Sequence, residues 1–115
     1  MIDTAKLERT VGELLQLLAN GDYAGFKRRD RAHRLSEQAL AHAVTEYGRH
    51  LVRPAHSPMS IVDVVEVLGR TPPCWSVNVP LWTQEEGRSD LTLCLTLVDA
   101  EADYYGVEID DLRVP

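Results

Sequence analysis

Between positions 75 and 109 apolar and polar residues alternate, and this two-residue period constrains the fold more than any other feature of the chain. Trp75, Val77, Val79 and Leu81 share one phase; Leu91, Leu93, Leu95 and Leu97 take it up again, and Tyr105, Val107 and Ile109 a third time. Successive strand residues point to opposite faces, so the pattern predicts antiparallel strands with one apolar and one polar face. At Asp110-Asp111 the phase slips, returning Leu112 and Val114 to the apolar side, the signature of a β-bulge. The turns fall at 83–89 and 99–103. Gathering the apolar sets on one face pairs Val79 with Leu93 and Leu95 with Val107. Pro80 cannot donate to a ladder, so its strand is expected at an edge or bulged there.

Upstream the period becomes helical. Leu7, Val11, Leu14, Leu15 and Leu18 form one stripe of a helix over 4–19. Asp3 is its cap, Ile2 and Leu7 stand at staple positions, and Asn20-Gly21 supplies a left-handed exit. A short second helix is expected over 22–27 with Tyr23 and Phe26 inward. Ser36 opens a third over 37–47, with Leu40, Val44 and Tyr47 inward and Gly48 as the stop. Residues 49–59, with Pro54 and Pro58, read as an extended connection. Segment 61–68 carries four valines and is read as a strand pairing with the first half of the Trp75 strand. A helical reading also fits, because Ile61, Val64, Val65 and Leu68 share a helical face and Ser60 with Asp63 resembles a capping box.

These elements predict a single α+β domain over 1–115, a length suited to one core. Two to three N-terminal helices (1–57) pack on one face of a three- to four-stranded antiparallel sheet (58–115). The formal charge of -6 is uneven: up to residue 57 nine Lys/Arg face seven Asp/Glu, and beyond it three face eleven. The acidic total argues against nucleic acid as a partner. No run approaches the ~18 apolar residues of a membrane span, and the N-terminus lacks a secretion-signal plan. A cytoplasmic location is therefore expected. Cys74 and Cys94 lack metal-ligand spacing, and the register keeps them apart, as two free thiols in a reducing compartment. Neither a metal nor a cofactor is expected.

The polar face of the sheet concentrates the chemistry-bearing residues. The expected register sets Asn78, Cys94 and Glu108 in one row and Pro80, Thr92 and Asp110 in the next, with Asp90 and Asp111 nearby. Such carboxylates either perturb one another and hold a hard cation, or are the solvated outer face of a sheet. Trp82 and Tyr104 are assigned to the same face, where aromatics suit an interface. In the turn, Arg88 reads as an anion clamp and Glu85 or Glu86 as an acid/base, or the whole as a hairpin held by Arg–carboxylate pairs. Lys27, Arg28, Arg29, Arg31 and Arg34, with His33, form one basic cluster, either an anion site or a solvated face. His33, His42, His50 and His56 lack paired-ligand spacing, and no phosphate loop or nucleophile elbow is present.

The stretch Leu81-Trp82-Thr83-Gln84-Glu85-Glu86-Gly87-Arg88-Ser89-Asp90-Leu91-Thr92-Leu93, with Val107-Glu108-Ile109-Asp110-Asp111-Leu112, resembles the C-terminal half of a family of small bacterial domains with no assigned activity. In outline, helices followed by a curved sheet also resemble the cystatin-like and NTF2-like architectures. The leading functional expectation is a non-enzymatic binding or accessory module, of immunity or inhibitor type, presenting an acidic sheet face to a partner protein or to a second copy as a homodimer. Its partner-binding residues would be Trp82, Arg88, Asp90, Tyr104, Glu108 and Asp110. The rival is an NTF2-like small-molecule-binding protein or enzyme, whose pocket between helix and sheet would be walled by Tyr23, Tyr47 and Tyr105.

Overall fold

The computed structural model describes residues 2–54, 62–100 and 102–115. The expectations for His56, Pro58, Ser60 and Ile61 lie outside the described residues. Helices α1 (Thr4–Ala19), α2 (Tyr23–Arg29) and α3 (Glu37–Tyr47) come first, and strands β1 (Leu51–Val52), β2 (Asp63–Val67), β3 (Cys74–Thr83), β4 (Gly87–Val98) and β5 (Gly106–Arg113) follow. The fold is α+β with an antiparallel sheet of five strands, one more than expected. The addition is β1, inside the segment read as a mere connection.

The helix ends carry the expected capping chemistry. The Asp3 side chain accepts from the Lys6 N–H, that of Asp22 from Gly25, and that of Ser36 from Ala39. Gly21 and Gly48 take φ of 69° and 75°, left-handed values that let the chain leave α1 and α3. Leu7, Val11, Leu14, Leu15 and Leu18 of α1 are buried with Phe26 and Leu40 against Val77, Val79, Leu93, Leu95, Leu97, Val107 and Ile109. Tyr23, Val44 and Tyr47 pack at the margin of this core, partly buried.

In the sheet, β3 and β4 form the centre, β5 flanks β4, and both β1 and β2 pair with the other side of β3. Segment 63–67 is a strand and meets only the first half of β3, Asp63 opposite Asn78 through Val67 opposite Cys74. β1 takes the far end, Val52 opposite Trp82. Pro80 falls between these two partners, so the donor it lacks has no ladder to serve on that side. On the β4 side the register shifts between Pro80 and Trp82, and the Ser89 hydroxyl donates to the Leu81 carbonyl at 2.9 Å within the irregularity.

Val79 lies opposite Leu93 and Asn78 opposite Cys94, as expected. The β4–β5 register differs: Leu95 pairs with Ile109 rather than Val107, and Leu97 takes Val107. Both registers keep every leucine inward, because they differ by two residues and side-chain facing has period two. The choice is made by α1. Its Lys6 ammonium donates to the Ala100 carbonyl (2.6 Å), Thr10 Oγ1 accepts from the Tyr105 N–H (3.0 Å), and the Asp3 N–H donates to the Tyr105 hydroxyl (2.9 Å). These bonds hold the connection between β4 and β5. The bulge does occur at Asp110, which has no direct partner between the pairs Cys94–Asp111 and Leu95–Ile109.

The free side of β5 is tied to the helical layer by Asp30. Its backbone bridges Val107, and its buried carboxylate accepts from the N–H groups of Ile109 (3.0 Å), Ala32 (2.9 Å) and His33 (3.1 Å) and from Lys27 Nζ (3.0 Å). This turn holds His33 at φ 55°, a left-handed value that non-glycine residues seldom adopt. Asp30, an acidic residue within the basic run of 27–34, is thus a buried charge in the fold.

Candidate functional site

The corrected register rearranges the outer face of the sheet. One row reads Asp63, Asn78, Cys94, Asp111, and the next reads Pro80, Thr92, Arg113. Glu108 lies opposite Thr96, not Cys94, and Arg113 stands beside Thr92 where Asp110 was expected. Asp90 is four residues along β4 from Cys94, roughly 13 Å at strand rise, so it does not join Glu108 and Asp110. Among the described residues no group of His, Cys, Asp and Glu is arranged to hold a metal ion.

The carboxylates on this face are largely answered from within the chain. Arg34 Nη1 lies 2.7 Å from Asp110 and 3.7 Å from Glu108, Arg70 lies 3.6 Å from Glu108, and the Thr96 hydroxyl donates to Asp110 at 2.8 Å. The basic cluster of the first half thus reaches the acidic second half in the same molecule. Its other members are dispersed: Lys27 holds Asp30, Arg29 pairs with Glu13, and the Arg31 side chain lies against Gly106. Lys27, Arg28 and Arg29 also occupy the last turn of α2, where cations suit the helix dipole.

Trp82 and Tyr104 do not share a surface patch. Trp82 is half-buried on β3 opposite Arg88, near the hairpin, whereas Tyr104 precedes β5 at the other end of the sheet with the Arg29 guanidinium 5.5 Å from its ring centre. The physical reason is again the length of the β4–β5 connection, which leaves Tyr104 outside the ladder.

The hairpin turn is clasped by the chain leaving α3. The Tyr47 hydroxyl donates to Glu86 (3.0 Å) and accepts from the Asp90 N–H (3.2 Å), while Arg49 lies 3.8 Å from Glu86. His50 donates its backbone N–H to Glu85 at 2.8 Å, and its Nδ1 lies 2.5 Å from the same carboxylate. The imidazole and the backbone N–H of His50 together pull the Glu85 carboxyl down to about 2. A depressed carboxyl lends its effect above the unfolded value and loses it as pH falls through the folded one; on so exposed a pair solvent screening keeps the effect on stability small. Carbon-detected NMR titration of Glu85 should give a midpoint near 2, and His50→Ala should return it toward the ordinary 4.5. A midpoint unmoved by that substitution would count against the clasp.

Among the described residues Tyr23, Tyr47 and Tyr105 serve separate purposes and line no common cleft. Tyr105 stacks at 5.4 Å on Trp75, beneath the Lys6 ammonium at 4.5 Å from its ring. Leu14, Leu18, Leu93 and Leu95, which border the space a pocket would need, all belong to the continuous core. Every buried side-chain nitrogen and oxygen among the described residues has a hydrogen-bond partner.

Among the described residues open space lies beside α2 and α3 and on the outer face of the sheet. A cleft of about 460 Å3 is lined by Asp63, Asn78, Pro80, Arg88, Thr92, Cys94, Arg113 and Pro115. The Cys94 thiol is raised by burial, and it and Cys74 are free thiols. A second cleft beside it shares Pro80, Arg88, Thr92 and Pro115 and extends to Asp90 and Val114. The Arg88 side chain makes no hydrogen bond or ion pair among the described residues. The sequence reading named Arg88 but missed Arg113, whose place in the cleft depends on the Asp110 bulge.

Helices on one side of an antiparallel sheet, with a filled interface and a cleft on the bare side, define an α+β domain whose open surface is the sheet itself. The chain belongs to the family described as domain of unknown function (DUF7668), whose model matches residues 15–115. No curated protein and no solved structure matches. Among the described residues no helix is long and apolar enough to cross a membrane.

Proposed function

We propose that the chain is a non-enzymatic binding module that meets a partner protein with the outer face of its sheet, an immunity- or inhibitor-type protein being one concrete form. The observation that carries this reading is the contrast between the two sides. Inside, polar atoms are paired and the space is taken by leucine and valine. Outside, Arg88 stands exposed and unpaired among the described residues, across from the half-buried Trp82, at the rim of a cleft. Arginine and tryptophan are the residue types that dominate binding energy at interfaces. A catalytic pocket gathers convergent polar groups among apolar walls, and the helix-facing side of this sheet offers no such gathering.

A photo-crosslinking residue at position 88 tests the reading in extracts of the source cells, against the same residue at Gln38 on exposed α3. Adducts from position 88 that are absent from position 38 support it, a second copy of the chain counting as a partner. Adducts only from position 38, or none from either, overturn it.

A further inference from the structure

We propose that the cleft between Arg88 and Arg113 is a binding site for a small organic carboxylate or phosphate. This inference is independent of whether a protein also covers the face. Two guanidinium groups line one cleft, and a guanidinium presents a planar fork that matches carboxylate and phosphate oxygens in pairs. The Arg88 fork is free, and that of Arg113 is held only weakly. Arg88 has no side-chain partner among the described residues, whereas Arg113 reaches the Cys94 sulfur, a weak acceptor, and lies 3.6 Å from Asp111 through Nη1, contacts that an anion can replace.

The volume of about 460 Å3 falls in the range of small-molecule sites, about 300–1,000 Å3. The Asn78 amide adds further donors on the cleft wall, while the Thr92 hydroxyl is already spent on the Asp90 carbonyl at 3.2 Å. The cleft is also graded in charge. The gradient runs along the strands: Asp63 and Asp111 close the row of Asn78 and Cys94, while Arg113 stands one row nearer the hairpin, beside Thr92, and Arg88 lies beyond it. An anionic head therefore belongs at the arginine side, and Asp63 favours a tail that donates hydrogen bonds. The adjoining cleft past Arg88 gives a longer ligand room to continue.

The formal charge of -6 makes the protein as a whole unattractive to anions, so a saturable response to one is a local property. Two-dimensional NMR of the full chain, titrated separately with succinate and with inorganic phosphate, reads the site directly. Saturating shifts centred on Asn78, Thr92, Cys94 and Arg113 are expected, and the tighter of the two probes identifies the head group. Arg88→Gln and Arg113→Gln should each weaken binding about tenfold or more, the usual worth of a charge-assisted hydrogen bond. Arg28→Gln, on exposed α2, should leave it unchanged, and unaltered spectra elsewhere show that each variant folds. Shifts that rise linearly with both anions, that centre on residues 27–34, or that survive Arg88→Gln would overturn the proposal.

Discussion

Asp30→Ala is expected to lower the free energy of unfolding by about 3–5 kcal/mol, out of the ~5–15 kcal/mol typical of a domain. The carboxylate is fully buried and accepts four hydrogen bonds, three of them from backbone N–H groups. Alanine strands those donors and leaves the Lys27 ammonium, itself largely buried, without its counter-charge. It also releases the strap that fastens α2 to β5, so β5 should lose amide-exchange protection before β3 and β4 do. Urea unfolding at neutral pH measures the loss, and a change under about 1 kcal/mol would show the strap to be dispensable.

The same carboxyl predicts an acid limb. Burial pushes its pKa up, but the N–H groups of Ile109 and Ala32 and the Lys27 ammonium outweigh burial and hold it below the ordinary 3.8. A carboxyl depressed on folding stabilises the native state above its unfolded value, near 4. That contribution fades as pH falls through the lower folded value. Below pH 4 the wild-type stability should therefore fall more steeply than that of Asp30→Ala.

Leu93→Asp and Thr92→Asp, neighbours on one strand, should have opposite fates. Leu93 is wholly inaccessible at the centre of the core, where an ionised carboxylate would have no partner. Its burial costs several kcal/mol on top of the lost leucine packing, enough to consume the stability of an ordinary domain. Circular dichroism should show Leu93→Asp unfolded at 25 °C. Thr92 projects into the outer cleft beside Arg113 and Arg88, so Thr92→Asp should fold and cost about 1 kcal/mol or less. Equal destabilisation by both would mean that the facing of β4 is misassigned.

Much of the fold was legible because its signals are local. The caps Asp3 and Ser36, the stops at Gly21 and Gly48 and the leucine stripe of α1 act within a few residues of themselves. Alternation then decided which side chains of β3, β4 and β5 face the helices, and the phase slip placed the bulge at Asp110. These follow from backbone periodicity and turn chemistry, which any segment carries with it.

Position along a strand is a different matter. Pairing Leu95 with Val107 or with Ile109 satisfies the apolar face equally, and only Lys6, Thr10 and Asp3, remote in sequence, separate the two. That two-residue choice puts Arg113 rather than Asp110 beside Thr92 and turns an expected acidic row into a cleft with two arginines. Asp30 is a similar case, an acidic residue in a basic run that becomes the buried clamp on β5 only once the helices dock. Along β3, β4 and β5 sequence alone determined which residues face in and which face out. Tertiary contacts decided which outward residues stand together, because facing repeats every two residues whereas adjacency depends on register, and register here is held from outside the sheet.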